Sequence, residues 1–337
     1  MNALFARARR YRSIAVVGMG KNTGKTVTVN SLIAKAREAG ISVGLTSTGR
    51  DGEDEDVVSF RPKPPVFLPP GAALATAGPC LGRGSAGLEI LEATGLTNAL
   101  GEIYIARVQE EGSVEVSGPE RMADLQPVLA RLQQLASLVL VDGAMDRRSA
   151  SAPSVSEGTI LATGAVIGGS TEEVIRLTLH AVEVLGLPAA GDLSLPEIEF
   201  LAGGGVGAAG TRGPIVTIPV ATAVDAPPEI ASYLSPQCNR FLTGGALSDP
   251  LAELLWQASW KIPSLQVVVW DATRIFVEPG RWQRLTRRVP VRVALPIDLV
   301  GITVNPFSPE GRRLPGNELV RDLKKMLPGL PVADPLA

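Results

Sequence analysis

The sequence predicts an α/β fold in which a mostly parallel sheet is flanked by helices. A short apolar run at 14–17 is followed by a glycine-rich turn and then by helical spacing that continues to Gly40. A second apolar run at 41–46 begins directly afterwards. Two strands joined by a helix of this length are expected to be parallel, with a right-handed crossover. Binding groups are therefore expected at the carboxyl ends of the strands.

Later parts of the chain repeat this alternation of strands and helices. Ser170 and Glu173 form a capping box that predicts a helix at 171–185, and Asp249-Pro250 predicts the start of another near 251–260. A short helical stretch is predicted at 88–93. Apolar runs predict further strands at 135–141, 159–167, 215–220, 266–270, 290–295 and 300–304.

Composition excludes several classes of protein. The 337 residues are 45% hydrophobic and 20% charged, with a net charge of −2, so neither wholesale disorder nor a nucleic-acid or anionic-membrane partner is expected. No apolar run approaches the ~20 residues that span a bilayer. Cys80 and Cys238 are the only cysteines and lie far apart, which argues against a disulfide framework or a zinc site. No secretory signal is recognisable, and a cytoplasmic protein is expected.

The stretch from Gly18 to Thr26, GMGKNTGKT, carries the most specific chemistry. A strand, a glycine loop and a helix in this order are typical of the P-loop of nucleotide-hydrolysing proteins, because glycines allow backbone N–H groups to surround phosphate oxygens. Lys25 is expected to reach the β- and γ-phosphates, and the Thr26 hydroxyl to ligate Mg²⁺. The alternative is a glycine-rich turn that binds nothing. The predicted nucleotide contacts are Gly20, Lys21, Asn22, Thr23, Gly24, Lys25, Thr26 and Val27.

This loop departs from the standard G-x-x-x-x-G-K-[ST] pattern. Met19 stands where that pattern has its first glycine, and glycines flank it on both sides. A loop one residue longer resembles the variant found in dethiobiotin synthetase and in the cobyrinic acid amidating enzymes. That resemblance implies a class of P-loop NTPase distinct from the Ras-like GTPases.

Two acidic positions are candidates for binding Mg²⁺ or for positioning the attacking water. The apolar run at 135–141 ends in Asp142-Gly143, and a buried strand that delivers an aspartate to its carboxyl end is what a Walker B element requires. The acidic segment 51–56 follows the second predicted strand, and Asp51 is the candidate there for positioning Mg²⁺ or the attacking water. Its alternative is a solvated acidic loop. Lys25, Asp51 and Asp142 are thus the predicted catalytic residues, and Thr26, Asp51 and Asp142 the predicted Mg²⁺ ligands.

The strand at 300–304 delivers Asn305-Pro306 to its carboxyl end. Asparagine in this position reads the base in many P-loop proteins, so Asn305 is a candidate contact to adenine or guanine. A turn formed by Asn-Pro is the alternative. The basic run at 281–288 is interpreted as a solvated helix rather than an RNA-binding face, because the chain has no basic excess.

The predicted organisation is a nucleotide-binding core at 1–200 and an additional α/β half at 201–337 that can complete the same sheet. The glycine-dense segment 201–213 lies at this boundary. Unlike the loop at 18–26, it is not preceded by a predicted strand and followed by a predicted helix. A flexible connection is therefore favoured over a second anion-binding loop.

Several motifs together resemble the P-loop subunit of the reactivase for lysine 5,6-aminomutase, an adenosylcobalamin enzyme. These are VVGMGKNTGKTVTVNSLI at 16–33, TSTGRDGEDED at 46–56, LVDGAMDRRSASAP at 140–153, ILATGAV at 160–166 and ITVNPFSPEG at 302–311. The resemblance implies an ATP-driven chaperone that works with a second reactivase subunit and ejects damaged cobalamin from the mutase. The resemblance to this class of P-loop protein, whose members often pair across the nucleotide, favours a homodimer. ATP and Mg²⁺ are the expected cofactors.

Two other classes of function stay open at this point. One is a small-molecule ligase or kinase that resembles dethiobiotin synthetase and consumes ATP only with its substrate present. The other is a GTP-binding adaptor of cofactor biosynthesis. The chain lacks the Asp-x-His-x-x-Gly signature of cobalamin binding, since its only histidine, His180, is not in such a motif. That is consistent with acting on a cobalamin enzyme without holding the cofactor.

Overall fold

The computed structural model describes residues 1–48, 65–143, 152, 155–210, 213–220 and 222–336. These form two compact units, one of residues 1–179 with 298–337 and one of residues 180–297. The boundary predicted at residue 200 therefore falls inside the second unit. Residues 298–337 return to the first unit because their strands pair with its sheet.

The first unit is built on a nine-stranded sheet with the order β18-β17-β9-β1-β8-β2-β4-β6-β5. Adjacent strands from β18 through β4 in this order are parallel to one another, whereas β6 is antiparallel to both β4 and β5. The predicted α/β class, with a large and mostly parallel sheet, is confirmed. The strands are β1 (Ser13–Gly18), β2 (Val43–Ser47), β4 (Ala73–Ala77), β5 (Gly87–Asn98), β6 (Gly101–Glu110), β8 (Leu138–Asp142), β9 (Gly158–Gly164), β17 (Leu299–Asn305) and β18 (Val332–Ala333).

Helices flank this sheet on both faces. Alternate strand residues point to opposite faces. Leu45 and Leu140 share a buried cluster with Leu32 of α2 (Lys25–Glu38), whereas a Cβ on Gly44 would lie 3.4 Å from Leu132 Cβ of α3 (Met122–Leu135). The helices are α1 (Asn2–Ala8), α2 (Lys25–Glu38), α3 (Met122–Leu135), α8 (Gly316–Met326) and α4 (Thr171–Leu185), whose C-terminal end belongs to the second unit. A separate antiparallel pair is formed by β3 (Val66–Leu68) and β7 (Gly112–Val114).

The second unit has a five-stranded sheet with the order β11-β10-β12-β14-β16. Strands β12, β14 and β16 are parallel, and β10 is antiparallel to both of its neighbours. The strands are β10 (Val206–Ala209), β11 (Val216–Thr217), β12 (Arg240–Thr243), β14 (Gln266–Asp271) and β16 (Val291–Leu295), with a short parallel pair of β13 (Leu247–Ser248) and β15 (Ile275–Phe276). The helices are α5 (Leu195–Ala202), α6 (Asp249–Ala258) and α7 (Pro279–Thr286).

Two local predictions are wrong. Residues 88–93, predicted as helix, belong to the long edge strand β5, because pairing with β6 overrides the helical spacing of the apolar residues. The segment 201–213, predicted as a flexible connection, contains β10. Its glycines are needed there because a Cβ on Gly205 or Gly207 would lie within 3.0 Å of the Phe200 ring.

The helix predicted at 171–185 is confirmed with the same bounds. In the basic run, Arg281 pairs with Asp249, 2.8 Å away, and Arg284 pairs with Glu253. Both arginines are exposed on α7, as a solvated helix requires. Within the described residues, no helix is long and apolar enough to cross a bilayer.

Candidate functional site

The loop at residues 18–24, here called the glycine loop, lies at the carboxyl edge of the large sheet. It joins β1 to α2, and β1 lies between β8 and β9 in parallel register. Val16 is opposite Asp142 in this register and Gly18 is opposite Ala162, while the next strand aligns Asn305 with Gly164. The topology thus brings the ends of four strands together around one loop.

The backbone of the glycine loop takes two left-handed conformations. Asn22 has φ of +60° and Gly24 has φ of +88°, a region in which glycine is unstrained and asparagine is tolerated. The buried Thr23 hydroxyl donates to the Gly20 carbonyl over 3.0 Å, and Met19 N–H donates to the Ala162 carbonyl over 3.0 Å. These bonds attach the start of the loop to β9 and close its turn internally.

Gly18 is required by close packing rather than by its backbone angles. A Cβ at this position would collide with the Thr23 hydroxyl and would lie 3.1 Å from both the Gly20 carbonyl oxygen and Lys25 Cδ. The stem of Lys25 therefore lies back over the beginning of the loop. The aliphatic part of the Lys25 side chain is thus close to the residue at which the loop starts.

Helix α2 begins at Lys25 without a side-chain cap, and its first turn contains no acidic residue. The first N–H groups of a helix have no partner within the helix, and its amino end carries a partial positive charge. Gly24, as the N-cap residue, leaves these groups uncovered by a side chain of its own. An anion at the glycine loop would meet them together with the Lys25 ammonium.

Asp142 is the last residue of β8, the strand adjacent to β1. Its side chain is 6% exposed. Its carbonyl accepts from Thr48 N–H over 3.1 Å, and Gly143 N–H donates to the Val16 carbonyl over 3.0 Å. The backbone at Asp142 and Gly143 is therefore hydrogen-bonded to both neighbouring strands. These bonds fix the position of Asp142 at this edge of the sheet.

Asn305 contacts the glycine loop directly. Its Nδ2 donates to the Asn22 carbonyl over 2.8 Å, and its Oδ1 accepts from Phe307 N–H over 3.1 Å. A second connection runs from β17 to α2: Thr303 Oγ1 and Thr28 Oγ1 lie 2.8 Å apart, and Thr28 Oγ1 donates to the Gly24 carbonyl over 3.0 Å. The base contact predicted for Asn305 stays a prediction.

The structure brings most of the predicted residues into this one place. Lys21, Lys25, Thr26 and Val27 are half-buried, and Asn22 is exposed. Asp51, the predicted partner of Mg²⁺ or water, lies outside the described residues, as do 49–64. The chain matches no protein-family model, no curated protein and no solved structure.

A polar cluster beside Asp142 escaped the sequence reasoning. It lies at the ends of β2 and β4 and consists of buried hydroxyl side chains. Thr76 Oγ1 accepts from Ser117 N–H over 2.9 Å, and Ser47 Oγ accepts from Gly118 N–H over 3.0 Å. Asn98 Nδ2 donates to the carbonyls of Ser117 and Gly118. The run of threonine and serine at 46–48, at the carboxyl end of a buried strand, is the sequence signal that points to it. The members are Thr46, Ser47, Thr48, Thr76 and Ser117.

Among the residues with described positions, no group of three or more His, Cys, Asp or Glu side chains could hold a metal ion. Mg²⁺ is usually bound by one or two protein oxygens, substrate phosphates and waters rather than by a cage of protein ligands. The Thr26 hydroxyl and the Asp142 carboxylate supply oxygens of the required kind.

Proposed function

We propose that this chain is a P-loop protein that binds ATP with Mg²⁺ at the glycine loop and hydrolyses it. The observation that carries the proposal is the position of Lys25 Cδ over Gly18, at a loop that ends in an uncapped helix. This arrangement places a cation and backbone donors on one small surface, where a polyphosphate would satisfy both. The residues present therefore fit the proposed ligand.

Each residue has a distinct role in the proposed reaction. Lys25 neutralises charge on the β- and γ-phosphate oxygens, and the backbone of residues 20–27 orients them. Thr26 and Asp142 would hold Mg²⁺. Asp51 positions the metal or the attacking water. Bound Mg²⁺ would supply further neutralisation of the phosphate charge.

We further propose that hydrolysis drives a chaperone of the reactivase kind. Support for this step comes from the resemblance of five segments to the P-loop subunit that acts on lysine 5,6-aminomutase. On this proposal, loss of the γ-phosphate changes the affinity of the chain for a protein partner. The partners would be a second reactivase subunit and the mutase, whose damaged cobalamin is exchanged.

The deciding experiment compares Lys25→Ala with Lys35→Ala. Both remove a lysine from α2, but Lys35 lies near its carboxyl end, where Nζ pairs with Glu38 over 2.6 Å. Loss of a charged hydrogen bond worth roughly 1.5–3 kcal/mol weakens ATP binding by about tenfold or more. Calorimetric titration with Mg-ATP should show this loss for Lys25→Ala alone. Equal affinity and turnover in the two variants would rule out the assigned site.

Turnover assays separate the classes of function. ATP hydrolysis that rises when purified lysine 5,6-aminomutase is added supports the reactivase. Phosphorylation of a small carboxylate or carbamate without any protein partner supports a ligase resembling dethiobiotin synthetase. A clear preference for GTP in the same assays supports the adaptor of cofactor biosynthesis.

A further inference from the structure

Asn305 occupies a slot that two glycines leave open. An ideal Cβ on Gly24 would lie 3.0 Å from Asn305 Cβ, and a Cβ on Gly164 would collide with the Asn305 carbonyl. Gly24 belongs to the glycine loop and Gly164 ends β9. Asn305 is therefore packed against the loop from one side and against the neighbouring strand from the other.

Both polar atoms of the Asn305 side-chain amide form hydrogen bonds within the protein. Nδ2 donates to the Asn22 carbonyl, and Oδ1 accepts from Phe307 N–H. The second bond closes a two-residue turn that fixes the orientation of the amide group. The bond from Nδ2 holds the loop at Asn22, where the backbone is left-handed with φ of +60°.

The peptide plane explains what this bond does. A trans peptide is planar, so its C=O and N–H groups point in opposite directions. When the Asn22 carbonyl is held toward Asn305, the N–H of Thr23 in the same peptide must point away from Asn305. The orientation of one loop amide is thus set by a side chain on β17.

We propose that Asn305 is a positioning residue for the glycine loop rather than a reader of the nucleotide base. The proposal rests on the proposed nucleotide site. Asn305 acts through the Asn22 carbonyl, so its contribution is to phosphate binding and does not depend on the base. Asn305→Asp is the sharpest variant, because it keeps the acceptor for Phe307 N–H and replaces the donor with an oxygen that repels the Asn22 carbonyl.

The test measures the affinity of Asn305→Asp for Mg-ATP, Mg-GTP and magnesium tripolyphosphate, which has no base. Loss of one hydrogen bond and its replacement by repulsion should weaken all three by the same factor, roughly three- to tenfold or more. Asn317→Asp, at an exposed position in the first turn of α8, is the control for the added charge. Unchanged tripolyphosphate binding with an altered ratio of ATP to GTP affinity would overturn the proposal in favour of base reading.

A second measurement needs no nucleotide. In the ligand-free protein, hydrogen exchange of a peptide covering residues 18–26 should be faster in Asn305→Asp and Asn305→Ala than in wild type and Asn317→Asp. Exchange in β8 and β9 should be unchanged, which shows that the variants are folded. Equal exchange in the loop would overturn the proposal. If the wild type binds none of the three ligands, the nucleotide site fails, and the exchange result alone decides the role of Asn305.

Discussion

Lys25 and Gly18 are in contact across the glycine loop: the stem of Lys25 passes so close to Gly18 that a Cβ there would lie 3.1 Å from Lys25 Cδ. The two residues are seven positions apart in the sequence. The contact brings the lysine back over the strand end from which the loop starts. On the proposed function, the shape of the phosphate-binding loop depends on a residue with no side chain as well as on the lysine.

Gly18→Ala should destabilise the protein by about 1–3 kcal/mol, because the new methyl group has no space beside Thr23 and Lys25. Gly20→Ala is the matched control. Its methyl group would meet no atom closer than 3.7 Å, so stability should stay within about 1 kcal/mol of wild type. Urea unfolding followed by circular dichroism measures both. Equal stability of the two variants would contradict the packing argument.

Asp142→Asn should leave the fold intact and weaken the dependence of ATP binding on Mg²⁺. The amide has the same shape as the carboxylate but lacks the charge that a divalent cation requires. Hydrolysis should fall by about 10²-fold or more, the usual effect of losing one charge-stabilising group. Asp322→Asn, which breaks a surface pair with Arg321, is the control. If ATP binding by Asp142→Asn depended on Mg²⁺ as strongly as in the wild type, Asp142 would not belong to the proposed metal site.

Thr303→Val should lower the free energy of unfolding by about 1 kcal/mol, because it removes one of the two buried hydroxyls that join β17 to α2. Thr28 donates to the Gly24 carbonyl, so Thr303 must be the donor in the bond of 2.8 Å between the two hydroxyls. Thr28→Val should cost more, because it also removes the bond to Gly24. A double-mutant cycle in thermal unfolding measures the coupling. Strict additivity of the two losses would show that the pair contributes nothing.

Cys80 should resist alkylation at neutral pH. Burial raises the pKa of its thiol to about 11, with a further contribution from the carboxylate of Glu115, 3.5 Å from the sulfur. Because the thiolate is the reactive form, iodoacetamide should label Cys80 in the folded protein far more slowly at pH 8 than in urea. Cys238, which is half-buried, serves as the internal comparison. Mass spectrometry of labelled peptides gives both rates, and rapid labelling of folded Cys80 would be the contrary result.

The same raised pKa predicts how stability depends on alkaline pH. Since the folded protein keeps the Cys80 proton up to about pH 11, the unfolded chain loses it first, near its ordinary value of about 8.5. Stability should therefore fall as the pH rises between these values. Cys80→Ala should show a flatter pH dependence in this window, and an identical slope would contradict the assignment.

Sequence alone was sufficient for the features that local chemistry determines. The order of strand, glycine loop and helix at 13–38 and the aspartate at the end of β8 follow from glycine spacing and apolar runs, since these patterns report on neighbouring residues. The helix at 171–185 was predicted with its observed bounds because a capping box marks its start.

Only the tertiary structure decided features that depend on distant residues. Residues 88–93 have helical spacing but form an edge strand, since pairing with β6 determines their conformation. Residues 298–337 return to the first sheet, and this return brings Asn305 to Asn22 across 283 positions of sequence. Spacing predicted a phosphate loop. The contacts of Asn305 with Asn22, Gly24 and Gly164 join chain segments whose proximity no local pattern encodes.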